Sequence, residues 1–265
     1  MAETATPTGT LRDRQELSSM GFLEHLEELR KRIIRSVVYI GAGFSVCYWW
    51  HEDIFGWMQK PIVFALKNHN LPVSLVYTNP TDPFNMYLKI SLIVGIFVSS
   101  PFVLYQVWAF IAPGLYKSER RYVAPFMFST VGLFVAGGLF AYKMVYPAAL
   151  NFLIEYSAQF TPMITINEYT DLFMTIVLGL GVVFEMPILV FFLALFGIVS
   201  PGWMWRNLRY SILVIFIIAA VITPTTDIMN MCIFAAPMIL LYLVSIGVAY
   251  LVHPKQRRKR ELNSK

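Results

Sequence analysis

Thr170-Asp-Leu-Phe-Met-Thr-Ile-Val-Leu-Gly-Leu-Gly-Val-Val-Phe-Glu-Met-Pro-Ile-Leu-Val-Phe-Phe-Leu-Ala-Leu-Phe-Gly197 carries one ionisable residue after Asp171. A hydrocarbon core of ~30 Å needs about 20 helical residues at ~1.5 Å each, and this run exceeds that. It is continuous and does not alternate, so it reads as a spanning helix and not as a barrel strand. The whole chain agrees. Its 265 residues are 57% hydrophobic and 14% charged, with a mean hydropathy of +0.59. Soluble domains carry roughly 25% charged residues, so the charged shell of a soluble globule is missing here. Disorder, a fibrous repeat and a disulfide scaffold are excluded on the same grounds. The composition is that of a polytopic membrane protein. Cys47 and Cys232 both lie in apolar runs and read as free thiols acting as small hydrophobes.

Working outward gives six expected spans, at about 33–50, 84–111, 122–146, 170–197, 209–223 and 228–252. The expected fold class is an all-α membrane protein with short fifth and sixth helices. Arg12, Arg14, Arg30, Lys31 and Arg32 precede the first span, with Arg35 just inside it. Lys117, Arg120 and Arg121 lie between the second and third spans. Arg206 and Arg209 lie at the fourth-to-fifth junction, and Lys255, Arg257, Arg258, Lys259, Arg260 and Lys265 follow the sixth. The opposite side has only Lys60 and Lys67 in its loops, with Lys89 and Lys143 inside spans toward it. The positive-inside rule then puts both termini in the cytoplasm, consistent with an even count. The net charge of +5 reflects this basic rim and not a nucleic-acid groove. The first run ends in Tyr48, Trp49, Trp50 and His51, an aromatic belt and not a cleavage site, so it reads as a retained signal-anchor. The expected division is a flexible tail over 1–19, a membrane domain over 20–252 and a basic cytoplasmic tail over 253–265, its basic residues set against lipid headgroups.

Two features depart from routine spans. Arg209 to Thr223 supplies only about 22 Å of helix before Thr223-Pro-Thr-Thr-Asp227, where Pro224 breaks the helix and Asp227 can cap the next. Such a hairpin is short against the ~30 Å core and predicts local thinning of the bilayer, the alternatives being a tilted sixth span or a turn buried in protein. The other departure is Glu185, deep in the fourth span. A charged, unpaired group there costs at least ~2.5 kcal/mol. Pro187 predicts a kink beside it, and Gly179 and Gly181 allow close approach of another chain or of water. A water-accessible acid facing a cavity is the expectation.

On the inner side, residues 20–35 place Phe22, Leu23, Leu26, Leu29 and Ile33 on one stripe, with Glu24, Glu27 and Glu28 before Arg30, Lys31 and Arg32. This predicts an amphipathic interfacial helix leading into the first span. Glu27–Lys31 and Glu28–Arg32 stand at i,i+4 and can stabilise that helix with no ligand involved. The first inner loop runs Tyr105-Gln-Val-Trp-Ala-Phe-Ile-Ala-Pro-Gly-Leu-Tyr-Lys-Ser-Glu-Arg-Arg121, with Pro113 and Gly114 ending the second span and Glu119 opening the third.

His25-Leu-Glu-Glu-Leu-Arg30 resembles the N-terminal signature of the TatC family, the multispanning core of the twin-arginine protein translocase. The loop from Tyr105 to Arg121 resembles that family's long inner-loop signature. Phe184-Glu-Met-Pro187 is similar to its Phe-Glu-x-Pro element, and Thr223-Pro224 followed by Asp227 to its turn between the fifth and sixth spans. The resemblance covers about residues 20–250. It implies a receptor in a bacterial-type inner membrane that binds twin-arginine signal peptides and exports folded proteins. By position it implies signal-peptide contacts at Glu28, Glu119 and Phe110, with Glu27 and Arg30 adjoining. It implies an intramembrane acid at Glu185 and docking of single-span partners of the TatA and TatB type at Gln106, Thr223 and Asn230. Asn230 stands where the family carries Gln. Further copies of the chain and membrane lipids are the other partners implied.

Carboxylates suit this task, because each guanidinium of a twin-arginine tag can be held bidentately and an ammonium cannot. Exposed ion pairs contribute only ~0–1 kcal/mol, so affinity is expected from the signal's apolar stretch, inserted beside Glu185, and selectivity from the acids. The sequence has no Gly-x-x-x-x-Gly-Lys-Ser/Thr loop, no metal-ligand cluster and no nucleophile–base pair, so no enzyme activity, cofactor or metal is expected. Energy would come from the membrane potential and proton gradient, at about 2.3 kcal/mol per charge per 100 mV. The alternative is a proton-coupled small-solute transporter using Glu185 with Lys89 or Lys143. The chain lacks the internal repeat common in such proteins.

Overall fold

The computed structural model describes residues 11–111, 123–223 and 228–252, giving backbone alone for 11–23, 111, 123–125, 222 and 230. The described residues form helices joined by turns, with a single isolated bridge between Val76 and Thr165. The protein is all-α.

Helix α1 runs without interruption from Leu11 to Trp49. The amphipathic segment thus leads into the first span with no break between them, and the helix already begins within the expected tail. Residues 22–40 contain neither Gly nor Pro. Two i,i+4 pairs, Lys31–Glu27 at 2.8 Å and Arg32–Glu28 at 3.0 Å, bridge the junction. A break at Trp50 then turns the chain by 84° into α2 (His51–Met58) and α3 (Lys60–Asn68).

These two helices fold the expected outer loop 51–83 into a cap. Tyr169 donates to the Met58 carbonyl at 2.6 Å and Tyr142 to that of Trp57 at 2.9 Å, anchoring the cap to the spans below. Asp82 closes it. One carboxylate oxygen accepts from the Asn79 amide at 2.8 Å, the Thr78 amide at 3.0 Å and the Thr78 hydroxyl at 3.1 Å. The other accepts from Asn167 Nδ2 at 2.7 Å. Asp82→Ala should therefore destabilise the protein by about 2 kcal/mol, read as an earlier thermal unfolding midpoint in detergent.

Helix α4 (Asp82–Ile111) returns antiparallel to α1 and makes the most extensive helix pair of the fold. A Cβ built on Gly43 would stand 2.6 Å from the Gly95 carbonyl oxygen, and one on Gly95 only 2.7 Å from the Phe44 nitrogen. Mutual glycines let the two backbones touch. The third span continues beyond its expected end. Helix α5 (Val123–Phe140), a π-helical turn (Ala141–Val145) and α6 (Tyr146–Tyr156) form one rod. Pro147 has no amide hydrogen to donate, and the widened turn before it absorbs that loss. The fourth run divides into α7 (Ile166–Val183) and α8 (Met186–Leu195), broken at Phe184 and Glu185 as Pro187 predicts.

Helix α9 (Pro201–Arg206) leads into α10 (Leu208–Ile222) and α11 (Ile228–Val252). The fifth helix is short as expected, at 15 residues, but the sixth has 25, about 38 Å, and is not the short helix expected. Tyr242 on α11 accepts from the Ser211 hydroxyl at 2.8 Å and donates to the Met204 carbonyl at 3.1 Å, tying the last three helices together. The core gathers Ile90, Ile93, Tyr146, Tyr169, Ile176, Leu180, Phe234 and Met238. By length and apolarity, 82–110, 126–156, 166–195 and 231–252 could each cross a membrane. The bent pair 24–49 with 51–68 passes the same test together, and 208–221 is shorter.

Candidate functional site

The antiparallel run of α1 and α4 brings the N-terminal signature together with the described part of the loop signature, Tyr105 to Phe110. His25 stacks on Phe110 with ring centroids 4.4 Å apart. Two turns on, Arg32 donates through one guanidinium nitrogen to Gln106 Oε1 at 3.0 Å and through the other to Glu28 Oε1 at 3.0 Å. Further along, Tyr39 packs on Phe102, and Gly43 meets Gly95. Spacing alone links these contacts, since each successive pair advances along α1 while it retreats along α4.

Charge is concentrated on one face of this end. Glu24, Glu27, Glu28, Lys31, Arg32 and Arg35 line a shallow cleft of about 320 Å³. Glu27 is exposed, and its hydrogen bond to the Lys31 ammonium, with that cation's field, holds its carboxyl below the usual range. Glu28 is half-buried, its side chain 36% exposed against 22% for Arg32. Arg30 is exposed. Gln106 is buried and already engaged by Arg32, so a docking partner would meet an occupied amide oxygen there. Beneath it, Trp108 donates to Thr130 at 3.1 Å and packs with Ile188 and Phe192, joining α4 to α5 and α8.

A second locus lies at the α7–α8 break. Glu185 donates its amide to the Val182 carbonyl at 3.1 Å and accepts on its own carbonyl from Ile188 and Leu189. Its Oε1 is buried with no hydrogen-bond partner among the described residues. The close approach expected of Gly181 is filled by the rings of Phe134 and Phe97. The nearest backbone contact falls instead at Gly137, where a Cβ would stand 2.8 Å from the Leu180 carbonyl oxygen and from Phe184. Lys89, a possible partner for Glu185 in the transporter reading, is bound to Asp171 at 2.6 Å.

Thr223 is buried at the end of α10, and its hydroxyl oxygen has no partner among the described residues. Asn230 lies on α11, described by backbone alone. Glu119, Pro113, Pro224 and Asp227 lie outside the described residues. No group of three or more His, Cys, Asp or Glu side chains suited to a metal occurs among the described residues. The site residues that sequence reading missed are His25 and the cross-helix role of Arg32. Both carry a signal in hindsight, since they stand seven residues apart on the helix face that meets α4.

The profile of the Sec-independent protein translocase protein (TatC) family matches residues 24–237. The chain belongs to the TatC family. It is 74% identical over 247 residues to the TatC protein of Koribacter versatilis, covering 93% of this chain and 91% of that one. It is 35% identical to the TatC protein of Aquifex aeolicus, covering 92% and 99%. A crystal structure of the twin arginine translocase receptor TatC superposes with a TM-score of 0.77 at 35% identity, covering 86% of this chain and 99% of that one. As a TatC protein the chain is a multi-pass membrane component of the Sec-independent protein translocase.

Proposed function

We propose that this TatC protein is the receptor for twin-arginine signal peptides, with Glu28 and Glu119 holding the two guanidinium groups and Phe110 packing beside them. The observation that carries the reading is the meeting of the two signatures at one end of the α1–α4 pair, where His25 touches Phe110 and Arg32 spans Glu28 and Gln106. Glu119 follows Phe110 by nine residues, a reach of at most about 32 Å at ~3.6 Å per residue. Such recognition requires the two acids to converge on adjacent arginines of one peptide. The resemblance to a solved structure described as a twin arginine translocase receptor supports the same role.

In this reading the protein crosses a bacterial-type inner membrane six times with both ends in the cytoplasm, a topology the distribution of Lys and Arg supports. Helix α10 is 15 residues, about 22 Å, so the bilayer thins around that helix. The apolar part of the signal inserts beside Glu185, single-span partners of the TatA and TatB type dock at Gln106, Thr223 and Asn230, and the proton-motive force drives export of folded cargo.

The test is photo-crosslinking from positions 28 and 119 in the full chain. A twin-arginine signal peptide should be captured from both, and a twin-lysine peptide should compete poorly. Equal labelling by the two peptides would remove the ion-pair account. Glu119→Gln keeps shape and removes charge, so it should weaken twin-arginine peptide binding about tenfold, measured by fluorescence anisotropy.

A further inference from the structure

Glu28 is not waiting empty. Its Oε1 already accepts from a guanidinium, that of Arg32, whose second nitrogen is fixed on Gln106 across the helix pair. Both side chains are half-buried, and Gln106 is buried. This arrangement differs from the neighbouring Lys31–Glu27 pair, which is exposed at both ends and has no further anchor among the described residues. Arg32 therefore presents to Glu28 the same planar donor group that a signal peptide brings, held by a second hydrogen bond from the opposite helix.

We infer that Arg32 is an internal stand-in for the signal's arginine: it occupies Glu28 in the unliganded receptor through its anchor on Gln106, and the incoming guanidinium takes its place. The inference rests on the proposed role of Glu28 in receiving the signal. Its consequences follow from competition. A ligand that must displace an internal partner binds more weakly by the factor with which that partner fills the site. Displacement also leaves Arg32 with Gln106 alone, so occupancy of Glu28 is sensed at a buried amide on α4. The anchor raises the stand-in's local occupancy, because a guanidinium fixed at one nitrogen loses less freedom when the other binds.

The sign of the effect separates this role from a structural one. Arg32→Gln removes the competitor, so a fluorescent twin-arginine signal peptide should bind the full-length protein in lipid nanodiscs about threefold to fivefold more tightly. Gln106→Ala releases the anchor and should tighten binding in the same direction by a smaller factor. Added to Arg32→Gln it should change nothing, because the group it acts through is gone. Arg32→Lys serves where Arg32→Gln does not fold. An ammonium is a point donor that cannot span both partners, so it too should tighten binding. Weaker or unchanged binding in the folded Arg32 variants overturns the stand-in, and so does an additive effect of Gln106→Ala. Glu28→Gln is the separate control. If it leaves twin-arginine binding intact, the receptor role of Glu28 fails; if it weakens binding while the Arg32 variants do not tighten it, the stand-in alone fails.

Discussion

Gly95→Leu should destabilise the protein by about 3 kcal/mol or more, seen as a large drop in its thermal unfolding midpoint in detergent and as early proteolysis. The reason is where the added carbon would land. Around Gly95 its neighbours are the nitrogen and Cα of Phe44 at 2.7 and 2.9 Å, and these are backbone atoms that no rotamer change can move. The helices must separate, and separation is transmitted along the pair. A Cβ built on Gly43 would likewise stand 2.6 Å from the Gly95 carbonyl oxygen. Moving α1 away at this point also strains the Tyr39–Phe102 contact and the Arg32–Gln106 hydrogen bond nearer the C-terminal end of α4. Signal binding should fall with stability in this variant. Gly41→Leu is the matched comparison, since a Cβ there meets nothing within 4 Å, and it should change the midpoint little.

The reading of the membrane segments from sequence rested on long apolar runs, and these are legible because lipid imposes one solution on a backbone. The break at Glu185 was legible for a similarly local reason, Pro187. What escaped were features set by partners distant in sequence. The outer segment 51–83 has no long apolar run, yet it folds into α2 and α3, because Tyr142 and Tyr169, more than 80 residues away, supply hydroxyls to the Trp57 and Met58 carbonyls. Likewise the extension of the third span to Tyr156 depends on a π-helical turn that accommodates Pro147, which a simple reading takes as a terminator.

The candidate site was partly legible. Glu28, Phe110 and Gln106 were singled out from signatures, and they do lie along one helix pair. Their mutual arrangement was not legible, since the pairing of α1 with α4 sets it. The i,i+4 spacing of Glu28 and Arg32 predicted an ordinary helical ion pair. Only the register of the facing helix, fixed by the Gly43–Gly95 contact, puts Gln106 within 3.0 Å of the same guanidinium.

Glu185→Ala is expected to abolish most export of a folded twin-arginine reporter, by tenfold or more in an assay on inverted membrane vesicles, while leaving the unfolding midpoint unchanged or slightly raised. The two halves of this expectation come from different observations. The described residues give the carboxylate no stabilising hydrogen bond. Its Oε1 is buried with no hydrogen-bond partner among the described residues, and leaving such a group unsatisfied costs about 1–3 kcal/mol. Glu185 stands at the N-terminus of α8, but its side chain makes no capping hydrogen bond, so the helix loses no cap. The break itself is set by Pro187, which the substitution retains. A buried carboxylate that makes no hydrogen bond among the described residues calls for a role outside the fold. In the proposed reading that role is to meet the inserted signal or water in the membrane. Glu185→Gln separates charge from shape. It should behave like Ala in export if the carboxylate is needed, and like the parent protein if a hydrogen-bonding side chain suffices. A lowered midpoint with export intact would make Glu185 a structural residue after all.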